Sequence, residues 1–573
     1  MTYSDMNHLK LKLIIPLLGV FSLCLQNCKN DPASHPESSL RETGEEFYTE
    51  ALTMVVDTSV TSFENIPVLD NAYQKGILSD TRTYYVLNGG KTRWLYQDIP
   101  SRLFAEYMQV LDSIDNDGLN PETYRQTPLK KAVDSAYVHK ADESYKVQLD
   151  KEITASFLLL TKHLTNGRFL KKTYGKHSWL KPKNTYNNAE ALLKIADTIP
   201  LSQLITSLLP ANPQYQQMKN LYRQLKNQTL DSANTAVNFA NPKDFVYGYT
   251  APIVAQLREG LKAKGFEALP ETDAQIVDST LIKTVQQFQQ SKGLTPDGVL
   301  GKQTLYYLNM NSQRERDLVQ LNMERMRVFN NPLGDTYAIV NIPDFQLSLF
   351  HKDSLLFKTR VVVGKTETPT PIFTDSIKYV EFRPTWSVPQ SIIKREIIPQ
   401  MVAQGDPEKY KKRGYTLYEK GKKIDPTQVN WSDPSVHKRA FFFVEAPSAR
   451  NSLGLVKFIL SNDMSIYLHD TPSKHFFERD YRALSHGCVR VQNPEQLAYL
   501  LLRDEASDTP WTLEKVTKTM HGNRSLRVTP KTNFKLNILY YTAFIDDQGA
   551  LVIKNDIYDL DSEQLKEIKR FES

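Results

Sequence analysis

Tyr467-Leu-His-Asp-Thr-Pro472, followed shortly by Ser485-His-Gly-Cys-Val-Arg-Val491, gathers a thiol, two imidazoles and a guanidinium within one short stretch of chain. A thiol is the strongest ordinary nucleophile near neutral pH once a neighbouring base takes its proton. His469 closes a strand-like run and His486 stands just before Cys488, so either imidazole could serve. Gly487 has no side chain, so the backbone there can approach a substrate closely and turn N–H groups toward a developing oxyanion. Arg490 adds a fixed positive charge. The grouping predicts a cysteine acyl-transfer site. A single Cys and a single His are more often core residues, but so dense a grouping weighs against that reading.

Cysteine usage points the same way. The chain holds 3 cysteines in 573 residues: Cys24 and Cys28 in the N-terminal segment, and Cys488 with no evident partner. A lone thiol in an exported protein is a liability unless it performs chemistry. No cluster of His, Cys, Asp and Glu at metal-ligand spacing accompanies it, and the His469–His475 pair is loose. Neither a metal nor another cofactor is expected.

Outward from this site the chain reads as strands. Tyr337–Ile342, Gln346–Phe350, Thr359–Gly364, Lys378–Phe382, Ala440–Val444, Val456–Leu460 and Ser465–Leu468 are rich in β-branched and aromatic residues and bounded by turn formers. Between them, about 388–438, lies a polar and helical insertion, long enough to act as a lid. Lys535–Tyr541 and Leu551–Ile553 continue the strand pattern. Residues 250–311 form a compact three-helix unit, with Val254–Leu261 and Leu281–Gln289 apolar at helical intervals and a Pro296-Asp-Gly298 turn. From 46 to 245 the pattern is mainly helical. Leu103, Tyr107, Val110, Leu111 and Ile114 share one face until Asp117-Gly-Leu-Asn-Pro stops the run, and Ile153–Leu164 is closed by Asn166-Gly167.

The N-terminus reads as an export segment. Lys10 and Lys12 precede an apolar run, Leu13–Leu25, that falls short of the ~20 residues a bilayer span needs. This order is that of a secretory signal over 1–28, with an uncleaved anchor as the alternative. Leu25-Gln-Asn-Cys28 resembles a lipoprotein cleavage box, although Asn27 stands where a smaller residue is usual, so lipid attachment at Cys28 stays open. Residues 29–45 are polar and Pro/Ser-rich, as a tether would be. The expected location is the periplasm or cell envelope, with a membrane tether through the N-terminus as an open option. A net charge of +6 without a basic block speaks against a nucleic-acid partner.

The passage closely resembles the L,D-transpeptidase (YkuD-type) domain, whose signature is a His-Gly/Asp-Thr element followed by Ser-His-Gly-Cys-Ile/Val-Arg. Val361-Val-Val-Gly-Lys365, Thr368–Phe373, Pro384–Pro389 and Asn451–Phe458 extend the likeness. Gly293-Leu-Thr-Pro-Asp-Gly-Val-Leu-Gly-Lys-Gln-Thr304 resembles a peptidoglycan-binding repeat. The layout is similar to the large YcbB-type subgroup, with a scaffold preceding the binding unit. The resemblance implies a multidomain α+β protein: a helical scaffold (46–245), a peptidoglycan-binding domain (250–311), and a mainly-β catalytic domain (336–515). The insertion at 388–438 would be a cap, and the strands and helix of 516–573 would pack on the catalytic domain.

Carried over to this chain, the resemblance makes Cys488 the nucleophile and His469 the general base, oriented by the backbone carbonyl of Asp470. The N–H groups of His486, Gly487 and Cys488 would form the oxyanion hole. Arg490 would hold the catalytic loop or a substrate carboxylate. Trp386, Ser485 and Tyr467 are candidates for substrate contact, with structural roles for Trp386 and Ser485 as the alternative. Implied partners are peptidoglycan stem peptides and glycan, with carbapenems as covalent inhibitors. The implied reaction forms 3→3 cross-links through a thioester. Release of that thioester by water (an L,D-carboxypeptidase) or by a lipoprotein lysine (an attachment enzyme) would use the same residues, and a non-catalytic wall-binding scaffold is the reading of another class. A wall-active cysteine endopeptidase fits less well, because in that class the Cys precedes the His.

Overall fold

The computed structural model describes residues 53–67, 73–169, 189–190, 199–228, 236–239, 241–330, 334–404, 406–503 and 509–572. The export segment, Cys24, Cys28 and the tether lie outside the described residues. No described helix is long and apolar enough to cross a membrane.

Helices of the N-terminal half begin where capping chemistry allows. Ser101 accepts from the Phe104 N–H to start Arg102–Ser113, and Asp142 accepts from the Tyr145 N–H to start Glu143–Asn166. The latter helix stops at Gly167, whose φ is +65°. A Cβ there would meet Val328 Cγ2 at 2.6 Å, so a glycine is what lets two helices touch.

The other helix of that contact, Ser312–Val328, was left unassigned by the sequence pattern, and it is the axis of the protein. Every residue from Asp317 to Val328 is buried. A helix buried all round has no amphipathic stripe to announce it. Its charges are matched in place. Glu324 accepts from Arg168 at 2.9 Å and Arg327 at 2.5 Å, and Arg325 meets Asp561 at 2.7 Å. Unmatched, each would cost several kcal/mol to bury.

The strands, in chain order, are β1 (Thr336–Asn341), β2 (Gln346–His351), β3 (Ser354–Gly364), β4 (Phe373–Phe382), β5 (Trp386–Ser387), β6 (Tyr415–Glu419), β7 (Lys422–Ile424), β8 (Phe441–Glu445), β9 (Val456–Leu460), β10 (Leu468–His469), β11 (Ala483–Ser485), β12 (Val489–Val491), β13 (Leu526–Val528), β14 (Lys535–Leu539), β15 (Ala543–Ile545) and β16 (Leu551–Ile553). Ten form one sheet in the order β11-β3-β12-β10-β9-β4-β14-β1-β2, with β13 on β4, and β2 pairs back onto β3. The sheet therefore closes on itself and leaves few free edges.

Four features differ from the sequence reading. The scaffold and the catalytic sheet share one continuous apolar core, running from Met54 through Leu318 and Met326 to Val491, while the binding unit and the cap each have their own. The insertion is not simply helical: Trp386 to Glu445 holds a four-stranded sheet, β5-β8-β6-β7, around Ile393, Met401, Leu417, Trp431 and Phe443. The overlooked signal is Lys420-Gly421, both at positive φ (49° and 77°), a hairpin turn between β6 and β7. The segment 516–573 does not merely pack on the catalytic domain. Its β13 and β14 belong to the main sheet, while Asp561–Lys569 lies on the axial helix through Arg325–Asp561 and Lys569–Asp317. Finally, the strand expected over Ser465–Leu468 shrinks to Leu468–His469, because Ser465 turns the chain at φ +60°.

In the small unit the motif residues hold the fold itself. The buried Gln289 amide nitrogen lies within hydrogen-bond distance of Asp297, the Val299 carbonyl and Thr304 (2.9, 2.9 and 3.1 Å), and its oxygen accepts from the Gly298 N–H at 2.9 Å. Such a knot satisfies every polar group it buries.

Candidate active site

Parallel pairing of β10 with β12 matches Leu468 to Val489 and His469 to Arg490. Side chains alternate along a strand, so Tyr467 and His469 share a face with Cys488 and Arg490, while Leu468, Val489 and Val491 enter the core. On the other side of β10, Lys457 of β9 stands opposite His469, and Glu381 of β4 stands opposite Lys457. One polar face thus carries a thiol, an imidazole, a phenol and two cations.

Cys488 and His469 are diagonal neighbours across the β10–β12 pair, a separation of roughly 7 Å between backbones that side chains can close. The His469 ring is 4% exposed, and its Nδ1 lies 2.5 Å from the Asp470 carbonyl oxygen. That bond selects the tautomer with the proton on Nδ1 and leaves Nε2 as the basic atom. Burial, with the charges of Arg490 and Lys457, pushes the imidazole down from 6.5 to about 3. Cys488 is half-buried, and its Sγ lies 3.6 Å from the Ser465 carbonyl. Burial pushes the thiol up, against the Tyr467 backbone and the Lys457 and Arg490 charges, which pull it down. Both shifts favour the uncharged forms, thiol and neutral imidazole.

The Asp470 carboxylate does a different job from its carbonyl. It accepts from the Leu455 N–H at 2.8 Å and pairs with Lys474 at 2.6 Å. It packs against Gly454, where a Cβ would sit 2.3 Å from Oδ2.

The loop before Cys488 is stapled from within. Ser485 Oγ donates to the Cys488 carbonyl at 2.6 Å and accepts from the Gly487 N–H at 3.2 Å. Gly487 holds φ +115°, and its carbonyl accepts from Thr370 at 2.7 Å. Of the three expected oxyanion donors, one has a partner within the loop. The Gly487 amide is committed to Ser485, whereas among the described residues nothing accepts from the His486 and Cys488 amides. Ser485 is 2% exposed, which suits a staple rather than a substrate contact.

The structure sends the remaining candidates to distinct tasks. His486 meets the Glu396 carboxylate of the cap through its Nε2. Arg490 lies over the Phe476 ring at 5.6 Å, and its Nε is buried with no hydrogen-bond partner among the described residues. Trp386 packs on the apolar core of the cap and reaches the Tyr467 hydroxyl, joining cap to site. Lys457 was missed by sequence reasoning. Its one signal was an odd position in Val456-Lys-Phe458, where a charge alternates with core residues. Among the described residues no three His, Cys, Asp or Glu form a metal-holding group.

Three families of known proteins match the chain. Residues 335–516 match the L,D-transpeptidase catalytic domain, 79–221 the scaffold domain, and 250–308 the family described as "Putative peptidoglycan binding domain". A Haemophilus influenzae protein described as "Putative L,D-transpeptidase" is 28% identical over 326 residues, 56% of this chain. The chain spans 64% of the length of that curated relative. Among solved structures, an L,D-transpeptidase from Stackebrandtia nassauensis is 12% identical with a TM-score of 0.18, covering 54% of this chain and 97% of its own. One from Mycobacterium smegmatis is 15% identical with a TM-score of 0.16, covering 29% and 52%.

Proposed function

Because the chain carries an L,D-transpeptidase catalytic domain behind scaffold and peptidoglycan-binding domains, we propose that it cross-links peptidoglycan stem peptides through a thioester on Cys488. The observation that supports this reading best is the shared face of β10 and β12. There a half-buried thiol stands diagonal to an imidazole whose tautomer is held by the Asp470 carbonyl.

In the first step Sγ attacks the carbonyl of the third, diamino-acid residue of a tetrapeptide stem while His469 Nε2 takes the thiol proton. The C–S bond forms, the C–N bond to the terminal D-Ala breaks, and the proton passes from His469 to the leaving amine. The side-chain amine of a second stem then attacks the thioester and forms the 3→3 amide. Its proton returns through His469 to the departing sulfur. Since the imidazolium is disfavoured here and the thiol is pushed up, proton transfer accompanies the attack instead of preceding it. The amides of His486 and Cys488, which donate to no described group, would receive the oxyanion, and the Arg490 guanidinium would hold a stem carboxylate. The domain content supports a wall-associated, exported protein.

Intact mass after incubation with a carbapenem tests the nucleophile: one adduct is expected on the wild type and none on Cys488→Ala. An adduct on Cys488→Ala, or none on the wild type, overturns the reading. With purified disaccharide-tetrapeptide, a cross-linked dimer is the expected product. Tripeptide alone would make the protein a carboxypeptidase.

A further inference from the structure

Lys457 has no role in the steps above, and its surroundings are unusual for a lysine. Its position on β9 faces His469 on one side and Glu381 on the other. Glu381 is taken by Arg527, whose Nε and terminal nitrogen both lie 3.0 Å from it. Among the described residues no carboxylate forms an ion pair with Lys457. Its ammonium instead lies 4.1 Å over the centre of the Tyr467 ring, and Tyr467 sits beside Cys488 across the β10–β12 pairing. A partly buried ammonium on an aromatic face keeps part of its field, because the carboxylate opposite it, Glu381, is shared with Arg527 and little water screens it.

The charges facing the sulfur can be named element by element. β12 contributes Arg490, β10 contributes Tyr467 and His469, and β9 contributes Lys457. Behind Lys457 stand Glu381 on β4 and Arg527 on β13, already paired with each other. On the loop, His486 is paired with Glu396 of the cap. His469 is held neutral by its burial, so it lends the sulfur no charge in the resting state. Arg490 stands opposite His469 and lies against Phe476, its Nε buried without a hydrogen-bond partner among the described residues.

We propose that Lys457 supplies the fixed positive charge that stabilises the negative charge developing on the Cys488 sulfur as its proton leaves, acting across the Tyr467 ring. It is a positioning residue for that charge and transfers no proton. The proposal rests on Cys488 being the nucleophile, and it explains how a thiol with a weakly basic partner becomes reactive near neutral pH.

The test is the pH profile of Cys488 alkylation by iodoacetamide, followed on the Cys488 peptide by mass spectrometry, in the full chain and in Lys457→Met, Lys457→Gln and Lys457→Arg. Both uncharged variants should move the alkylation midpoint upward by about one pH unit or more, slowing the reaction at pH 7 on the order of tenfold. Lys457→Arg should restore most of the shift. Thermal midpoints identify any variant that fails to fold, and the Met and Gln variants differ enough in shape for one to serve. An unchanged midpoint in a folded, uncharged variant overturns the role of Lys457. That result would leave the carbapenem adduct on Cys488 intact, so it is distinguishable from failure of the enzymatic reading, in which the adduct itself is missing.

Discussion

The Glu396 carboxylate, on the π-helical turn Ile393–Ile397 of the cap, meets Nε2 of His486 on the loop that leads into Cys488. A residue just ahead of the thiol thus ties the cap to the catalytic loop. Both side chains are about one-third exposed, 33% for His486 and 39% for Glu396, so solvent weakens the pair. Such a contact is worth at most ~1 kcal/mol, about a fivefold bias in cap position.

Glu396→Ala should therefore change the rate of carbapenem acylation by up to about fivefold while leaving the thermal midpoint nearly unchanged. Amide exchange over 390–404 should quicken. Unaltered exchange there would show that other contacts hold the cap.

His469 makes the protein sensitive to mild acid. Its folded value of about 3 lies below its ordinary 6.5, so the unfolded chain binds the proton first. Stability is fully present above pH 6.5 and is lost as pH falls toward about 3, with a limiting slope of ~1.4 kcal/mol per pH unit. His469→Asn should flatten that limb in urea titrations between pH 7 and 4. The buried His163, also held well below its ordinary value, will contribute a slope that remains.

Gly454→Ala should damage the site from a distance. Gly454 holds φ +63°, and its Cβ would stand 2.3 Å from Asp470 Oδ2. Moving Asp470 also moves the carbonyl that orients His469. A loss of ~2 kcal/mol and at least a tenfold fall in acylation rate are expected. Lys474→Ala removes only a half-exposed partner of Asp470 and should have a much smaller effect in both assays.

Glu324→Leu should cost more than any change at the site, because it leaves Arg168 and Arg327 buried without their shared counter-charge. Breaking a pair of this kind typically costs ~3–5 kcal/mol. Since the scaffold and the catalytic sheet share a core, both should unfold together at a lower temperature, read by calorimetry as one shifted transition. A scaffold transition that moves alone would contradict the shared core.

Legibility in the sequence followed range. Leu103 to Ile114 and the strand Val456–Leu460 were readable because periodic burial is written in neighbouring residues. The axial helix Ser312–Val328 was not readable, since a segment buried on all sides carries Asp317, Glu324, Arg325 and Arg327 that resemble a solvated face until their partners are known. The cap hairpin was missed because the turn Lys420-Gly421 lay inside a charged stretch. Gly487 was assigned an oxyanion amide that Ser485 occupies, a competition visible only once the loop is folded.

The sequence by itself determined the chemistry on offer. Cys488, His469 and the Asp470 carbonyl lie in two short phrases, and the bond from His469 to Asp470 joins adjacent residues. Only the tertiary structure decided which charges act on the thiol and what the cap grips. Lys457 and Glu396 reach the site from remote parts of the chain through strand register and through the packing of a separate core. Both depend on long-range pairing, which no local pattern of residues encodes.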